Sequence, residues 1–439
     1  MPDRERPVPV DPETFSARLN ALAAPRRFAL AVSGGRDSMA LARLAAAYCK
    51  MSGAEAFAFT VDHGLRPEAA AEAAQCAAWC EAAGLPARVL TWDGDKPATG
   101  LQAAARAARY RLLAHAAEEA GCAALLTAHS ADDQAETVFM RLKRGAGVRG
   151  LAAIDAETVI AAGAGAPVRL LRPLLSFSRA ALTASVEAMG QDYIDDPSND
   201  DPAFERVRTR ALLAALEAQD LMTGAALRQT ADRMRAADRR LRAQEAALFR
   251  ALGGCFYSWG GVSIDRFEPD AAPEAGLAGL GARLIHAASG EAHGANDQAA
   301  LQAVRAAARD GAATLAGTLV RRWRGRLWFL REPGAVLGRT GVAPMAPEAL
   351  DAPLLWDGRF ILRPRRAGLS VAPAGESARG LLGPAAALFE GPPEALFTMP
   401  GVYRDGALIG APALPSTGFD AANAEPLAEE RFSGGIIRF

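Results

Sequence analysis

The sequence predicts an α/β protein whose N-terminal part is built on a parallel sheet. In that part, short apolar runs alternate with helical patterns, a glycine-rich loop follows the first run, and polar residues end several runs. This alternation is typical of strand–helix–strand crossover units, which place their strands parallel. A chain of 439 residues exceeds one ordinary domain of about 150 residues, so further domains are expected after the sheet.

The elements of the N-terminal part follow in a regular order. The runs RRFALAVS, AEAFAFTVDH, ARVLTW and CAALLTAH have the length of buried strands, with helical patterns near 37–50, 67–84 and 99–120. A strand VRLLRPLL and a helix from Ser178 extend this part to about residue 215. Ligands of such sheets bind at the carboxyl ends of the strands. We therefore expect a site near the residues that end these runs, which are Ser33, Asp62, His63 and His129.

The C-terminal half has a different pattern. An Ala/Arg-rich segment near 222–252 and shorter pieces over 274–310 predict helices. TLAGTLVRRWRGRLWFLREP and GVYRDGALIGAP predict hairpins, with Asp405-Gly406 as a two-residue turn in the second. The predicted domains are an N-terminal domain over 1–215, a mainly helical domain over 216–339 and a small β-rich domain over 340–439.

Composition narrows the class of protein. Apolar stretches are broken by charge before they reach the length of a membrane span, and no basic-then-apolar leader opens the chain. The five scattered cysteines are too few for a disulfide framework in a chain of this size. We therefore expect a protein of a reducing compartment, the cytoplasm, without a membrane partner.

Charge is distributed in patches. The net charge of −1 argues against uniform attraction to nucleic acid, yet arginines cluster near 141–149, 206–210 and 321–326. Such patches can follow a phosphate backbone. Ordinary solvated surface arginines are the alternative explanation.

The segment Ser33-Gly34-Gly35-Arg36-Asp37-Ser38 carries the strongest chemical signal. Its glycines let backbone N–H groups approach an anion, the helix that follows directs its positive end to the same point, and Ser33 and Ser38 add hydroxyl donors. The spacing matches neither a Walker loop nor GxGxxG. It predicts a pyrophosphate-binding loop, in which Asp37 requires a cation such as Mg²⁺ between itself and the phosphates.

SGGxDS resembles the motif of the PP-loop ATP pyrophosphatase superfamily. That resemblance implies an adenine nucleotide alpha hydrolase-like fold and cleavage of ATP to AMP and pyrophosphate through an adenylated intermediate. Three further segments resemble the tRNA(Ile)-lysidine synthetase family within it: VDHGLR at 61–66, TAHSADDQAETVFMRLKRGAGVRGL at 127–151 and DYIDDPSNDDPAFERVRTR at 192–210.

The resemblance implies roles for the polar residues of these motifs. Asp133 and Glu136 are neighbours on one helical face and would hold the ammonium group of the amino-acid substrate. Offsetting the helix dipole is the alternative role. The family usually has a second histidine where this chain has Ser130. Catalysis is thereby assigned to Asp37, Asp133 and Glu136, and ATP binding to Ser33, Gly34, Gly35, Arg36, Asp37, Ser38, Asp62, His63 and His129.

Arginines of the same motifs are expected to contact tRNA or phosphate. Arg206 and Arg210 would share a helical face, and Arg208 lies between them. AARAARYRLL contributes Arg106 and Arg109, and the basic loop contributes Arg144. Helix-surface arginines exposed to solvent remain the alternative.

The resemblance implies an ATP- and Mg²⁺-dependent ligase. It would adenylate the carbon-2 oxygen of the wobble cytidine of tRNA(Ile) with a CAU anticodon and attach L-lysine there, with the C-terminal domains gripping the tRNA. One alternative is a PP-loop tRNA 2-thiolation enzyme, although the chain has no CxxC pair. The other is a non-catalytic tRNA-binding relative, and dimerisation stays open.

Overall fold

A computed structural model describes residues 7–93, 96–97, 99–161, 167–195, 201–265, 273–291, 294–382, 389–414, 419–433 and 436–438. The DPSN segment of the last motif, at 196–199, lies outside the described residues. The chain divides into two compact units, one up to residue 160 with 167–239, and one over 240–438.

The first unit alternates strands and helices as predicted. Its strands are β1 (Arg27–Ala31), β2 (Glu55–Asp62), β3 (Ala87–Thr91), β4 (Ala124–Leu126), β5 (Glu157–Ala161) and β6 (Val168–Leu171). Its helices are α1 (Pro12–Ala21), α2 (Arg36–Ser52), α3 (Ala69–Ala82), α4 (Leu101–Glu119), α5 (Ala131–Lys143), α6 (Val148–Leu151), α7 (Arg179–Ala188) and α8 (Glu205–Ala218), and α9 (Gly224–Ala251) begins in it.

The strands of this unit lie in the order β5-β6-β4-β1-β2-β3. β1 pairs parallel with β2 and with β4, β2 pairs parallel with β3, and β4 pairs parallel with β6. β5 was not predicted, and it pairs antiparallel with β6. The parallel sheet predicted from the sequence is confirmed.

Hydrophobic packing fixes the positions of the strand ends and of the helices that start beside them. Phe28 and Leu30 of β1 are fully buried with Met39 and Leu41 of the alanine-rich α2, in one core that also includes α1, α3 and α7 residues. Small alanines let α2 lie close to the sheet. A smaller cluster joins α5 to the start of α9 through Ala135, Val138, Leu227 and Ala231. Together they hold the N-termini of α2 and α5 beside the carboxyl ends of β1 and β4.

The second unit combines helices with antiparallel sheets. Its strands are β7 (Cys255–Phe256), β8 (Val262–Ile264), β9 (Ala312–Leu315), β10 (Thr318–Trp323), β11 (Arg326–Arg331), β12 (Glu348–Ala349), β13 (Leu354–Trp356), β14 (Phe360–Pro364), β15 (Ser370–Pro373), β16 (Pro400–Arg404), β17 (Ala407–Gly410), β18 (Ala422–Pro426) and β19 (Ile436–Arg438). Its helices are α10 (Glu274–Ser289), α11 (Asp297–Asp310), α12 (Pro333–Val336), α13 (Ala378–Leu382), α14 (Pro393–Phe397) and α15 (Ala428–Ser433).

The middle of the chain is less helical than expected. β7-β8-β11-β10-β9 form an antiparallel sheet against which α10 and α11 pack. β7 and β8 have only two and three residues, too few to show alternation in the sequence. The predicted hairpin is confirmed as β10 paired with β11. The division into 216–339 and 340–439 remains a prediction.

β11 is buried on both faces, which is why its sequence reads as an unbroken apolar run. Leu327 and Phe329 enter the core of α10 and α11, whereas Trp328 and Leu330 enter the core of the C-terminal sheets. Those sheets have the orders β12-β15-β16-β17 and β13-β14-β18. None of the described helices is long and apolar enough to cross a membrane.

Candidate active site

The loop between β1 and α2 has the backbone expected of an anion site. Gly34 has φ +79°, and a Cβ there would lie 2.5 Å from the Cδ1 atom of Ile194, so only glycine fits. Gly35 has an extended backbone at the N-cap of α2 and makes no side-chain cap hydrogen bond. The first N–H groups of α2 are therefore available to a ligand at the end of the helix.

The two serines fix the shape of this loop. The Ser38 hydroxyl donates to the Gly35 carbonyl oxygen at 2.8 Å and accepts from the Ser33 N–H at 3.1 Å. The Ser33 hydroxyl lies 3.3 Å from the Ser38 hydroxyl. The predicted serine pair is thus a loop-closing pair, and Ser33 keeps further hydrogen-bonding capacity.

Arg36 has a structural contact that the sequence did not indicate. Its guanidinium lies over the Tyr193 ring at 4.8 Å and reaches the Thr183 hydroxyl at 3.4 Å. The Ile194 N–H donates to the Gly34 carbonyl oxygen at 2.9 Å. These contacts fasten the segment before the DPSN sequence onto the phosphate loop.

The end of β2 forms a turn beside the sheet edge. The Asp62 carboxylate accepts from the Gly64 N–H at 2.8 Å, so it supports the turn. His63 meets the Trp92 ring edge-on with the ring centroids 6.2 Å apart, and its Nδ1 is buried without a hydrogen-bond partner among the described residues. Burial first, and then the nearby Arg109, lowers the pKa of His63.

His129 follows β4 and is held neutral. Its Nδ1 lies 3.0 Å from the Thr127 hydroxyl. Burial lowers its pKa to about 3, and Arg172, Arg206 and Arg106 reinforce the shift while Asp133 opposes it. A neutral imidazole can donate one hydrogen bond and accept another.

Ser130 has a clear role as the N-cap of α5. Its backbone N–H and its hydroxyl both donate to Asp133 Oδ2, at 2.7 and 3.0 Å, in a capping box. A serine at this position therefore starts the helix, as a histidine could not in the same way. The capping also occupies one oxygen of Asp133, which the sequence had assigned to the amino-acid substrate.

Three predicted carboxylates converge on one residue that the sequence did not single out. The Arg179 guanidinium lies 3.4 Å from Asp37 Oδ2, 3.6 Å from Asp133 Oδ1 and 3.4 Å from Glu136 Oε1. Burial alone would lower the pKa of Arg179, but the surrounding acids raise it above its ordinary value. The sequence feature nearest to Arg179 was Ser178, the N-cap of a helix that follows a predicted strand, and Arg179 is the first residue of that helix.

Two carboxylate oxygens of this cluster lack a hydrogen bond. Asp37 Oδ1 and Glu136 Oε2 are buried and have no partner among the described residues. Burial raises the pKa of Asp37, with Asp133 and Asp132 adding to the shift and Arg179 opposing it. Buried acceptors are normally satisfied, so two unsatisfied oxygens in one site indicate ligand positions.

Mg²⁺ fits only together with a phosphate ligand. The described residues contain no group of three or more potential metal-binding side chains. Magnesium is usually bound by one or two carboxylates with substrate phosphates and water. The unpartnered Asp37 oxygen at the loop suits that arrangement.

The arginines of α8 divide into two sets. Arg210 Nε donates to Glu136 Oε1 at 3.0 Å, and Arg206 lies 3.9 Å from Asp133 Oδ1. Arg208 points elsewhere and donates to the carbonyl oxygens of Pro202 and Ala203. The shared face predicted for Arg206 and Arg210 is thus present, and it faces the acids.

The remaining predicted arginines contact other residues than the site acids. Arg106 and Arg109 both stack on Tyr110, at 5.1 and 5.3 Å from its ring centroid. Burial lowers the pKa of Arg106, and Arg109 and Arg206 contribute in the same direction. Arg144 forms an exposed ion pair with Glu205.

The chain is similar to known proteins over the segment that carries this site. The model of the PP-loop domain matches residues 12–216. A tRNA(Ile)-lysidine synthase of Methylobacterium nodulans is 43% identical over 286 residues, which cover 63% of this chain and 80% of that protein. The chain belongs to the tRNA(Ile)-lysidine synthase family.

Other members of the lysidine synthase family align over less of their length. A relative from Bradyrhizobium sp. strain BTAi1 is 50% identical over 218 residues, covering 47% of this chain and 58% of that relative. A U34-tRNA thiolase from Methanococcus maripaludis has a structural match with TM-score 0.42 and 18% identity, over 51% of this chain and 78% of the thiolase. The lysidine synthase relatives confirm the family predicted from the sequence motifs.

Proposed function

We propose that the chain is an ATP-dependent ligase that attaches L-lysine to the wobble cytidine of a tRNA(Ile) with a CAU anticodon. The observation that carries the proposal is the pair of unpartnered buried oxygens, Asp37 Oδ1 and Glu136 Oε2, beside a phosphate loop. The Asp37 oxygen suits a cation bound together with the nucleotide phosphates, and the Glu136 oxygen suits an amine. A thiolation enzyme or a non-catalytic tRNA-binding relative would not need both.

The nucleotide half of the site comprises the loop and the strand ends. The N–H groups of Gly35 and of the first turn of α2, including Arg36, would donate to the β- and γ-phosphates. The Ser33 hydroxyl would add a donor, and the Ser38 hydroxyl holds the loop in shape. His129 is neutral and can donate to a phosphate oxygen, while Asp62 and His63 close the neighbouring turn. Mg²⁺ held by Asp37 and the phosphates would offset the charge of the leaving pyrophosphate.

In the first step, the carbon-2 oxygen of cytidine attacks the α-phosphorus of ATP. A new P–O bond forms and the bond to pyrophosphate breaks. In the second step, the lysine ε-amine attacks carbon 2, the bond to the AMP oxygen breaks, and the amine loses a proton. The enzyme contributes mainly by orienting the base, the nucleotide and the amine.

The amine half of the site is centred on Glu136. Its Oε1 already accepts from Arg210, whereas Oε2 is open to a lysine nitrogen. Asp133 uses Oδ2 in the helix cap, so it contributes Oδ1. Glu136 is thus the better placed acceptor for a proton from the amine.

The arginines around the acids suit an anionic RNA. We assign tRNA or phosphate contacts to Arg106, Arg109, Arg144, Arg206, Arg208 and Arg210, the last of which shares Glu136 with the amine site. Arginine is well suited to phosphate because its planar fork donates to two oxygens. The second unit is proposed to grip the body of the tRNA.

The test is the mass of the tRNA after incubation with ATP and lysine. Wild-type protein is expected to add the mass of lysidine formation and to release pyrophosphate only with both lysine and tRNA present. Glu136→Gln should raise the KM for lysine roughly 10- to 100-fold, since a charge-assisted hydrogen bond is lost, and leave ATP binding intact. Glu187→Gln, at an exposed position of α7, is the control.

Two results would refute the proposal. One is equal pyrophosphate release with a sulfur donor in place of lysine. The other is unmodified tRNA when ATP, lysine and the correct tRNA are all supplied. Collapse of ATP binding in Glu136→Gln would instead show that the nucleotide and amine halves are divided wrongly.

A further inference from the structure

Arg179 lies where two helices from different parts of the sheet bring their carboxylates together. Asp37 is on the first turn of α2, and Asp133 and Glu136 are on the first turns of α5. The guanidinium is within 3.6 Å of an oxygen of each. It is the one side chain shown to contact both the loop acid and the α5 acids among the described residues.

The backbone of Arg179 is anchored at the same place. Its N–H donates to Asp132 Oδ2 at 2.7 Å, and Ser178 caps α7 by accepting from the Ala181 N–H. The side chain is about three-quarters buried. Because its backbone is anchored and its guanidinium contacts three acids, Arg179 has little freedom to leave them and fixes their separation.

Arg179 uses only one oxygen of each ligand-facing carboxylate. On Asp37 it contacts Oδ2, and Oδ1 stays unpartnered. On Glu136 it contacts Oε1, and Oε2 stays unpartnered. The guanidinium therefore orients both carboxylates without filling the positions that a ligand needs.

We propose that Arg179 is the positioning residue that joins the nucleotide half of the site to the amine half. This rests on the proposed function. By holding Asp37 and Glu136 with one oxygen each, Arg179 sets the position of the amine relative to the phosphates. Loss of the guanidinium lets the acids repel one another and leaves both binding halves misaligned.

A purely structural arginine should behave differently. Arg169 is such a residue in the same unit, because it pairs with Glu157 and donates to the carbonyl oxygens of Leu22 and Ala23. Its removal costs stability but touches none of the site acids. Arg169→Ala is therefore the matched control for Arg179→Ala.

The experiment measures three quantities in each variant: the dissociation constant of a fluorescent ATP analogue, the KM for lysine, and the thermal unfolding midpoint. Arg179→Ala is expected to weaken ATP binding and to raise the lysine KM, each on the order of 10-fold. Arg179→Lys, whose ammonium is a point charge without the planar fork, should recover only part of this loss. Added ethylguanidine should restore Arg179→Ala and should leave Arg169→Ala unchanged.

The outcomes separate this inference from the proposed function. Parallel changes in both constants, with rescue by ethylguanidine, support the joining role. A change in one constant alone, or unchanged constants, would overturn it, as would a lower unfolding midpoint with no rescue. Wild-type protein that binds ATP but forms no lysidine would refute the proposed function itself.

Discussion

Each of the two units contains a cluster of arginine and carboxylate side chains, and the clusters are built differently. In the first unit, the site cluster consists of Asp37, Asp133, Glu136 and Arg179. In the second unit, the core cluster consists of Arg331, Asp357 and Arg359, all at most 5% exposed.

The core cluster is closed. Arg331 donates from Nε to Asp357 Oδ2 at 3.1 Å and from Nη2 to Oδ1 at 3.0 Å, a bidentate pair. Arg359 adds a bond to Oδ2 at 2.7 Å. Both oxygens of Asp357 are therefore satisfied, and the charge is compensated by two guanidiniums.

The site cluster is open. It has three carboxylates around Arg179, and two of their oxygens are buried without a partner among the described residues. Similar residue types thus do opposite things in the two clusters. A satisfied network stabilises the fold, whereas an incompletely satisfied one keeps acceptor capacity for a ligand.

The largest expected contrast is in stability. Asp357→Asn should lower the unfolding free energy of the second unit by about 3–5 kcal/mol, because it removes the buried negative charge that both guanidiniums contact and leaves Arg331 with Glu291 as its remaining acidic partner. Asparagine suits the left-handed backbone of this position, φ +49°, so the loss is electrostatic. Urea denaturation of the variant and of wild type is the measurement.

Asp37→Asn is the partner variant in the site cluster. The folded protein raises the pKa of Asp37 above 3.8, so the cost of ionising it in the folded state develops as the pH rises from 3.8 and is complete above the folded pKa. The variant should be at least as stable as wild type at neutral pH, and any advantage should vanish below pH 3.8. A large loss of stability would mean that the site cluster is closed as well.

The next effect is the pH dependence that comes from His129, which interacts with Asp133 of the site cluster. Folding lowers the pKa of His129 from 6.5 to about 3, so the unfolded chain binds a proton that the folded chain does not. Stability from this group is complete above pH 6.5 and falls as the pH drops below it, by up to about 1.4 kcal/mol per pH unit.

The variant His129→Asn isolates that contribution. Between pH 6.5 and pH 5, the unfolding free energy should fall less steeply in the variant than in wild type. The pKa of His63 is also lowered, and this residue contributes to the slope in both proteins. Equal slopes would show that the His129 ring is protonated or exposed in the folded protein. The core cluster contains no histidine and should not add to this slope.

The smallest expected effect is on ATP binding, through the contact between Tyr193 and Arg36 of the phosphate loop. Tyr193→Leu removes the stack on Arg36 at 4.8 Å and should weaken ATP binding about 2- to 5-fold, as expected for a loss of 0.5–1 kcal/mol. Phe57→Leu removes a similar stack on Arg27 at 4.7 Å, remote from the loop, and is the control. Equal ATP affinities in the two variants would separate Tyr193 from the site.

Local sequence signals were sufficient for most of the first unit. Apolar runs and helical periods indicated the strands and helices of the crossover units, and the polar residues ending β1, β2 and β4 indicated the site edge. β7 and β8 were missed because two or three residues carry no period. The Asp405-Gly406 turn was confirmed, since both residues have positive φ, +51° and +76°.

The sequence by itself determined the family, the phosphate loop and the acids, because each is encoded in a short run of neighbouring residues. Only the tertiary structure decided which charged side chains contact one another. Arg179 is 142 residues from Asp37 and contacts it only because α7 starts beside α2 and α5. It also decided which oxygens remain open, since Ser130 and Arg210 each occupy one oxygen of a predicted ligand residue. Such pairing depends on distances in the fold, which no local pattern contains.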